Sequence, residues 1–421
     1  MQGFRNFLLY AALALVVLPA AAQPLSLQEA QRRALERSRQ VAAQDSAVLA
    51  SREMAVAAGQ LPDPTLKLGI DNLPVTGSDR FSLTNDFMTM RRIGVMQELT
   101  RGEKRELRGQ RFEREAEKSL AEKTGVIAAI QRDTALAWLE RFYAEAMAGV
   151  IAEQADQVRR EIVAAEGAYR GGRGGQADVI GAHGTLASLE ERASEYASRI
   201  RVAKANLARW IGEGAEAPLA SKPAMDTVRL DTETLEAHLA THPEMVVLAK
   251  QEEIAATEAR LARASRTPDW TLEAAYQQRG PDFSNMVSIG VSIPLPWDRA
   301  NRQDREIASK LAMAEQARAQ REEMLRAHVG EVRAMLEEWH NRRERLQRYE
   351  RDLIPLARER ARAALASYQG GRTSISDLLL ARRNESDVRM QAVQLEMEAA
   401  RMWARLNFLI PDTEIHGKEH Q

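Results

Sequence analysis

The chain has no cysteine among its 421 residues. This rules out disulfides, thiolate metal sites, cysteine nucleophiles and a lipoprotein anchor, which needs an acylated cysteine. Aromatic residues make up only 5%, and Ala, Glu, Arg and Leu dominate, which suits long helices better than compact globules. No excess of one charge is present: the formal net charge is -1, so there is no overall basic field for nucleic acid. Local Arg runs alternate with Glu, as on solvated helical faces. Beyond the N-terminal segment, no run approaches the ~18 apolar residues of a membrane-spanning helix. P-loop, Gly-x-Ser-x-Gly, HExxH and dinucleotide fingerprints are all missing. The 60 acidic residues will form many chance pairs, so the sequence supports no catalytic residue, no enzyme and no cofactor.

The first 22 residues have the pattern of a secretory signal peptide. Arg5 supplies the positive charge, Phe7 to Leu18 the apolar stretch, and Ala20 to Ala22 the small-residue cleavage site. An exported chain starting at Gln23 is expected, and any membrane crossing by it must use strands.

Taken in order, 26–60 reads as a helix, with Ser26 and Glu29 as a capping box. Leu66, Leu68 and Ile70 alternate with Lys67, Gly69 and Asp71, and Ile93, Val95 and Leu99 share one parity with Gln97 as the polar exception. Such alternation marks strands with two different faces, here a hairpin at about 65–99. A proline-free helix of about 100 Å follows from 103 to 169, with Leu136, Leu139, Tyr143, Ala146 and Val150 at heptad steps. The turn at 169–178 leads to a helix with a stripe of Leu189, Ala193, Tyr196, Ala203 and Leu207, and then to a proline-containing linker at 213–231.

The plan then recurs. A helix is expected at 232–265, a hairpin at about 270–293, a long helix at 301–368 with Pro355 inside it, a turn at 368–377, a final helix, and a polar tail at 411–421. The two turns match: Tyr169-Arg-Gly171-Gly172-Arg and Tyr368-Gln-Gly370-Gly371-Arg372 stand at an offset of 199, each closing on an aspartate, Asp178 and Asp377. Glycine-rich turns between helices are hairpin tips, and matched tips indicate two structural repeats, 23–212 and 232–410. Each long helix can lie beside the two shorter ones stacked end to end, with both hairpins at one end and both tips at the other. The expected class is mainly α with a small β part. Four strands cannot close a membrane barrel, which starts at about eight, so several copies are needed. Three would give a 12-stranded barrel.

The YxGG tips ending in Asp, the LSLQEA opening, Pro64 and Pro268 before each hairpin, and LPWDRANR at the second long helix resemble the TolC-type outer-membrane factors. The likeness covers nearly the whole exported chain. LPDP…LGIDNLP and FMTMRRIGVMQE are similar to the cation-efflux (CzcC and CusC) branch. The resemblance implies a homotrimer in the outer membrane of a Gram-negative bacterium. Its β-barrel would be continued by a periplasmic helical tunnel that docks onto a periplasmic adaptor and an inner-membrane pump of RND type. It would be a passive duct in a tripartite efflux system, with metal cations as one candidate cargo. A periplasmic coiled-coil adaptor or scaffold without a pore is the alternative: an adaptor would have one helical hairpin and a larger β-rich body, and a scaffold would need no alternating strands.

By position in that pattern, Tyr169, Tyr368, Asp178, Asp377, Arg372 and Thr373 are candidates for the tunnel constriction and gate, Asp178 in links that hold it shut and Asp377 in a ring of carboxylates. The family's gating arginine falls at Thr373, and this chain places Arg one residue earlier. Gly171, Gly172, Gly370 and Gly371 are candidates for adaptor docking. The plainer readings are tight-turn geometry for the glycines and helix capping for the aspartates. Met88, Met90 and Met96 have thioethers that suit Cu(I), but read better as apolar filling. His416 and His420 sit in the polar tail, and no metal site is assigned.

Overall fold

The computed structural model describes residues 24–230 and 234–412. The expected signal peptide at 1–22 and the pair His416 and His420 lie outside them. The described residues are mainly helical with four strands. The helices are α1 (Leu27–Arg37), α2 (Arg39–Ala58), α3 (Gly102–Arg170), α4 (Gln176–Ile211), α5 (Leu235–Ala240), α6 (Pro243–Ser265), α7 (Gln303–Arg348), α8 (Ile354–Gln369) and α9 (Ile375–Asn407). The strands are β1 (Thr65–Asp71), β2 (Met90–Leu99), β3 (Trp270–Gln278) and β4 (Met286–Ser292).

Three of the expected helices are interrupted. The segment 26–60 divides at Ser38, whose hydroxyl accepts the Val41 N–H at 3.3 Å and starts a new helix. At its beginning, Ser26 Oγ accepts the Glu29 N–H at 3.1 Å, but the Glu29 carboxylate turns to Arg32 and Arg33 instead of completing the box. The segment 232–265 divides at Thr241-His242, because Pro243 has no N–H to continue a helix and occupies the first turn of α6. Between α7 and α8 the chain makes a π-helical turn, Tyr349–Leu353, directly before Pro355. Widening the ladder there accommodates a residue that cannot donate to the carbonyl four positions back.

The described residues form two compact units. The first comprises 24–33, 137–224 and 357–393. Its core is a stripe on α3, with Leu139, Tyr143, Ile151 and Val158 all fully or almost fully buried, together with Ala182, Leu189 and Leu207 of α4 and Ala361 and Leu378. Each large side chain of this kind contributes about 1.5–3 kcal/mol by leaving water. Trp138 is completely buried, and its Nε1 donates to the Leu25 carbonyl at 3.0 Å. Leu25 in turn bridges to the linker through Pro218 and Ala220. The buried Arg141 donates to the Ala215 carbonyl at 2.6 Å, so the linker is tied down on both sides.

The second unit comprises 34–136, 225–356 and 394–412 among the described residues. It contains the sheet and a helical core that includes Ile130, Leu235, Leu239, Val332, Trp339 and Leu406. The sheet is antiparallel throughout, in the order β1-β2-β3-β4. Each hairpin forms as its alternation predicts, and the two join through β2 and β3.

Candidate functional site

The register of the sheet sorts its side chains into two faces. Leu68, Ile93, Tyr276 and Val287 form one row across all four strands, and Leu66, Val95, Ala274 and Ile289 form the next. Leu68 is 71% exposed, Val287 72% and Ile289 76%. A continuous apolar face open on this scale marks an interaction surface, not a solvated one. Gln97, the polar residue on this parity, turns its amide back onto the carbonyls of Pro62 and Glu98, at 2.7 and 2.9 Å. On the opposite face, Gly69, Gly94, Ala275, Ser288 and Gly290 are small, and Lys67, Arg92 and Glu273 meet in an ion-pair cluster. Gly94 has a steric reason: a Cβ there would lie 2.9 Å from that of Ala275. Met90 and Met96 fall on this polar face by register, whereas Met88 lies in the preceding loop. Among the described residues no cluster of His, Asp or Glu could hold a metal ion, and no helix is long and apolar enough to cross a membrane.

The two glycine turns belong to the first unit and are built identically. At the first, Arg173 N–H donates to Ala168 O at 2.9 Å and Gly172 N–H to Tyr169 O at 3.0 Å; at the second, Arg372 donates to Ser367 and Gly371 to Tyr368, both at 2.9 Å. These paired bonds are the Schellman arrangement that closes a helix. Gly172 and Gly371 both have φ +69°, the left-handed region where a Cβ is strained. Gly171 and Gly370, the first glycines of the pairs, are not in that region.

The aspartates differ. Asp377 forms a full capping box: its carboxylate accepts from Ser374 N at 3.2 Å and Ser374 Oγ at 2.8 Å, while Ser374 Oγ accepts from Asp377 N at 3.2 Å. Asp178 makes only half of one, accepting from Gly175 N at 3.2 Å, because glycine has no hydroxyl to return. Asp178 is half-buried, whereas Asp377, Arg372 and Thr373 are exposed, as is Tyr169. Tyr368 is half-buried, and its hydroxyl is pushed up from the usual tyrosine value, first by burial and then by the negative charges of Asp178 and Glu161. The structure therefore brings Tyr368 of the second turn into the field of Asp178 from the first.

Beneath these turns lies a cluster that the sequence reading did not single out. Glu161 on α3 and Glu385 on α9 are buried, and Arg382 reaches both at 3.2 Å, with Arg358 at 3.9 Å from Glu385. Burial raises the Glu161 carboxyl above its ordinary value, with Arg382 opposing. Half-exposed Glu153 is held down by Arg389, which donates to it at 2.7 Å. No sequence periodicity reports the Glu161–Arg382 and Glu153–Arg389 pairs, because their partners lie more than 200 positions apart.

Comparison with known proteins decides the family of one segment. The profile described as outer membrane efflux protein matches residues 234–410. Residues 234–410 are an outer membrane efflux protein domain. The domain places the chain in the outer membrane as an efflux-channel component, not an enzyme. No curated protein sequence matches the chain. Among solved structures, the fold is similar to the outer membrane protein VceC of Vibrio cholerae, at 20% identity and TM-score 0.73, over 91% of this chain and 95% of that one. It is similar to CusC at 15% identity and TM-score 0.78, over 93% and 94%. It is also similar to the open-state MtrE channel of Neisseria gonorrhoeae at 16% identity and TM-score 0.73, over 91% and 88%. These likenesses show that the efflux domain sits in a chain with the fold of outer-membrane channels throughout.

Proposed function

We propose that the protein is the outer-membrane duct of a tripartite efflux system. Three copies would close their strands into one 12-stranded barrel and their helices into a tunnel docked on a periplasmic adaptor and an RND-type pump. The observation that carries this reading is the two-faced sheet. Its apolar face is exposed on all four strands, and its outer strands β1 and β4 have open edges. Lipid does not tolerate open edges, so strands of further copies are required. Two duplicated repeats, 23–212 and 232–410, account for the paired hairpins and the matched turns. A scaffold or adaptor without a pore would have no use for such a face.

In this reading the turns form the gate. Tyr368 and Asp178 link the two tips in the closed state, Asp377 contributes to a ring of three carboxylates, and Arg372 stands in for the arginine expected at 373. Tyr169 takes the place of Tyr368 in the first tip, and Gly171, Gly172, Gly370 and Gly371 shape the surface presented to the adaptor. Metal cations are a candidate cargo through the resemblance of LPDP…LGIDNLP and FMTMRRIGVMQE to the cation-efflux branch.

The test is extraction followed by conductance. The protein should require detergent for release from membranes, run as a trimer and form pores in a planar bilayer. Tyr368→Phe and Asp178→Asn should each raise single-channel conductance. Recovery of the protein in the soluble periplasmic fraction without detergent would overturn the duct.

A further inference from the structure

The polar face of the sheet carries five charged side chains: Lys67 and Asp71 on β1, Arg92 and Glu98 on β2, and Glu273 on β3. Four of them are drawn into one cluster. Lys67 Nζ lies 2.8 Å from Glu273 Oε2, Arg92 pairs with Glu273, and Arg92 Nη1 lies 3.8 Å from Asp71 Oδ2. Glu98, further along β2, accepts from Thr100 Oγ1 at 3.2 Å. The bridge from Lys67 to Glu273 crosses a whole strand, since neighbouring strands lie about 4.8 Å apart. It passes over Gly94, which pairs with Lys67 on one side and Ala275 on the other and puts no side chain in the way.

We infer that Glu273 is a selectivity-determining and positioning residue of the conduit, holding Lys67 and Arg92 flat against the barrel wall and, together with Asp71, cancelling their charge. The inference rests on the duct reading above, in which this face lines the bore. The remaining inward positions explain why one residue suffices. Gly69, Gly94, Ala275, Ser288, Gly290 and Ser292 are too small to narrow a bore, and Thr65, Met90, Met96, Thr271, Gln277 and Met286 on the same face carry no charge, so the charged side chains decide its field. Lys67 and Arg92 balance Asp71 and Glu273, which leaves the cluster neutral. The inward positions of β4 are Met286, Ser288, Gly290 and Ser292, so in a closed ring the strand next to β1 of the following copy offers no carboxylate to replace Glu273. Without Glu273 the four-residue cluster of each copy would carry a net positive charge, with Lys67 released and Arg92 left facing Asp71 alone. Rings of like charge on a pore wall select the opposite ion.

The experiment measures reversal potential and single-channel conductance of the purified full-length protein in a planar bilayer under a KCl gradient. Glu273→Gln should move the reversal potential toward that of chloride and lower the conductance. Lys67→Gln leaves Asp71 and Glu273 facing Arg92 alone and should move the potential the other way, toward potassium. This second variant decides the matter if Glu273→Gln fails to assemble, and a merely structural role would not produce shifts of opposite sign. Pores from both variants with unchanged reversal potential would overturn the role of Glu273 and leave the duct intact. A wild-type protein that forms no pores would overturn the duct and this inference with it.

Discussion

Lys67 and Glu273 are 206 positions apart in the chain and meet at 2.8 Å across an intervening strand. Their pairing identifies the wet face of the sheet, and so assigns the exposed Leu68, Val287 and Ile289 to the opposite side.

A charge placed on each face should therefore have opposite consequences. Ile289→Arg would bury a guanidinium in lipid, at a cost of about 2–4 kcal/mol near the bilayer midplane. It should reduce the amount of trimer recovered from outer membranes. Ser288→Arg, one residue away on the other face, should leave trimer yield unchanged and lower conductance. Semi-native gel electrophoresis of membrane fractions compares the two directly.

The glycine pairs should respond unequally. Gly371→Ala forces a Cβ into the left-handed region at φ +69° and should destabilise the turn by about 1–2 kcal/mol. Gly370→Ala has no such conformational penalty. Hydrogen exchange at Arg372 and Ser374 should rise in the first variant and stay near wild type in the second. Gly172 and Gly171 should repeat the contrast.

Arg382 supports two buried carboxylates at once. Arg382→Met would leave Glu161 and Glu385 without their shared partner, at a cost of about 3 kcal/mol. Arg389→Met breaks a more exposed pair with Glu153 and should cost about 1 kcal/mol or less. Denaturant midpoints of the two variants test the ranking.

His242 gives the helical part of the second unit a pH dependence. It packs against His328 with the rings tilted at 49° and their centroids 4.6 Å apart, and burial first, then that neighbour, lower its pKa from 6.5 to about 4. The folded state thus binds its proton less tightly than the unfolded chain does. Stability from this residue is fully present above pH 6.5 and is lost as pH falls toward about 4. At pH 5 the loss should be about 1–2 kcal/mol after allowance for solvent screening. His242→Asn keeps a side chain able to cap α6 and removes the titration, so its melting temperature should fall less between pH 7 and pH 5 than that of wild type.

Much of this was legible in the residues. Period-two alternation located all four strands to within three residues, because one face of each strand is mostly apolar, with Arg91, Gln97 and Gln278 as its polar exceptions. The absence of proline from 103 to 169 announced α3. The helix breaks were harder to read. Ser38 is a weak local signal whose hydroxyl has to be seen capping Val41, whereas Pro243 is itself a stop signal within the segment expected as one helix at 232–265. The matched glycine turns were visible as a motif, but only the backbone shows that the second glycine of each pair carries the conformational demand. Capping by Asp178 and Asp377 was expected from their positions near helix starts, and both caps are made.

The sequence alone determined what depends on neighbours a few positions apart: the helices, the strands and their two faces, and the turns. Tertiary structure decided what depends on distant partners. It joined the two hairpins through β2 and β3, set Tyr368 in the field of Asp178, gathered Glu161 and Glu385 around Arg382, and drew Lys67 and Arg92 onto Glu273. The physical reason is range. Helix and strand periodicity are written in local sterics and hydrogen bonding, whereas an ion pair requires only that two side chains end within a few ångströms of each other. That depends on register and packing, which emerge only when the whole chain has folded.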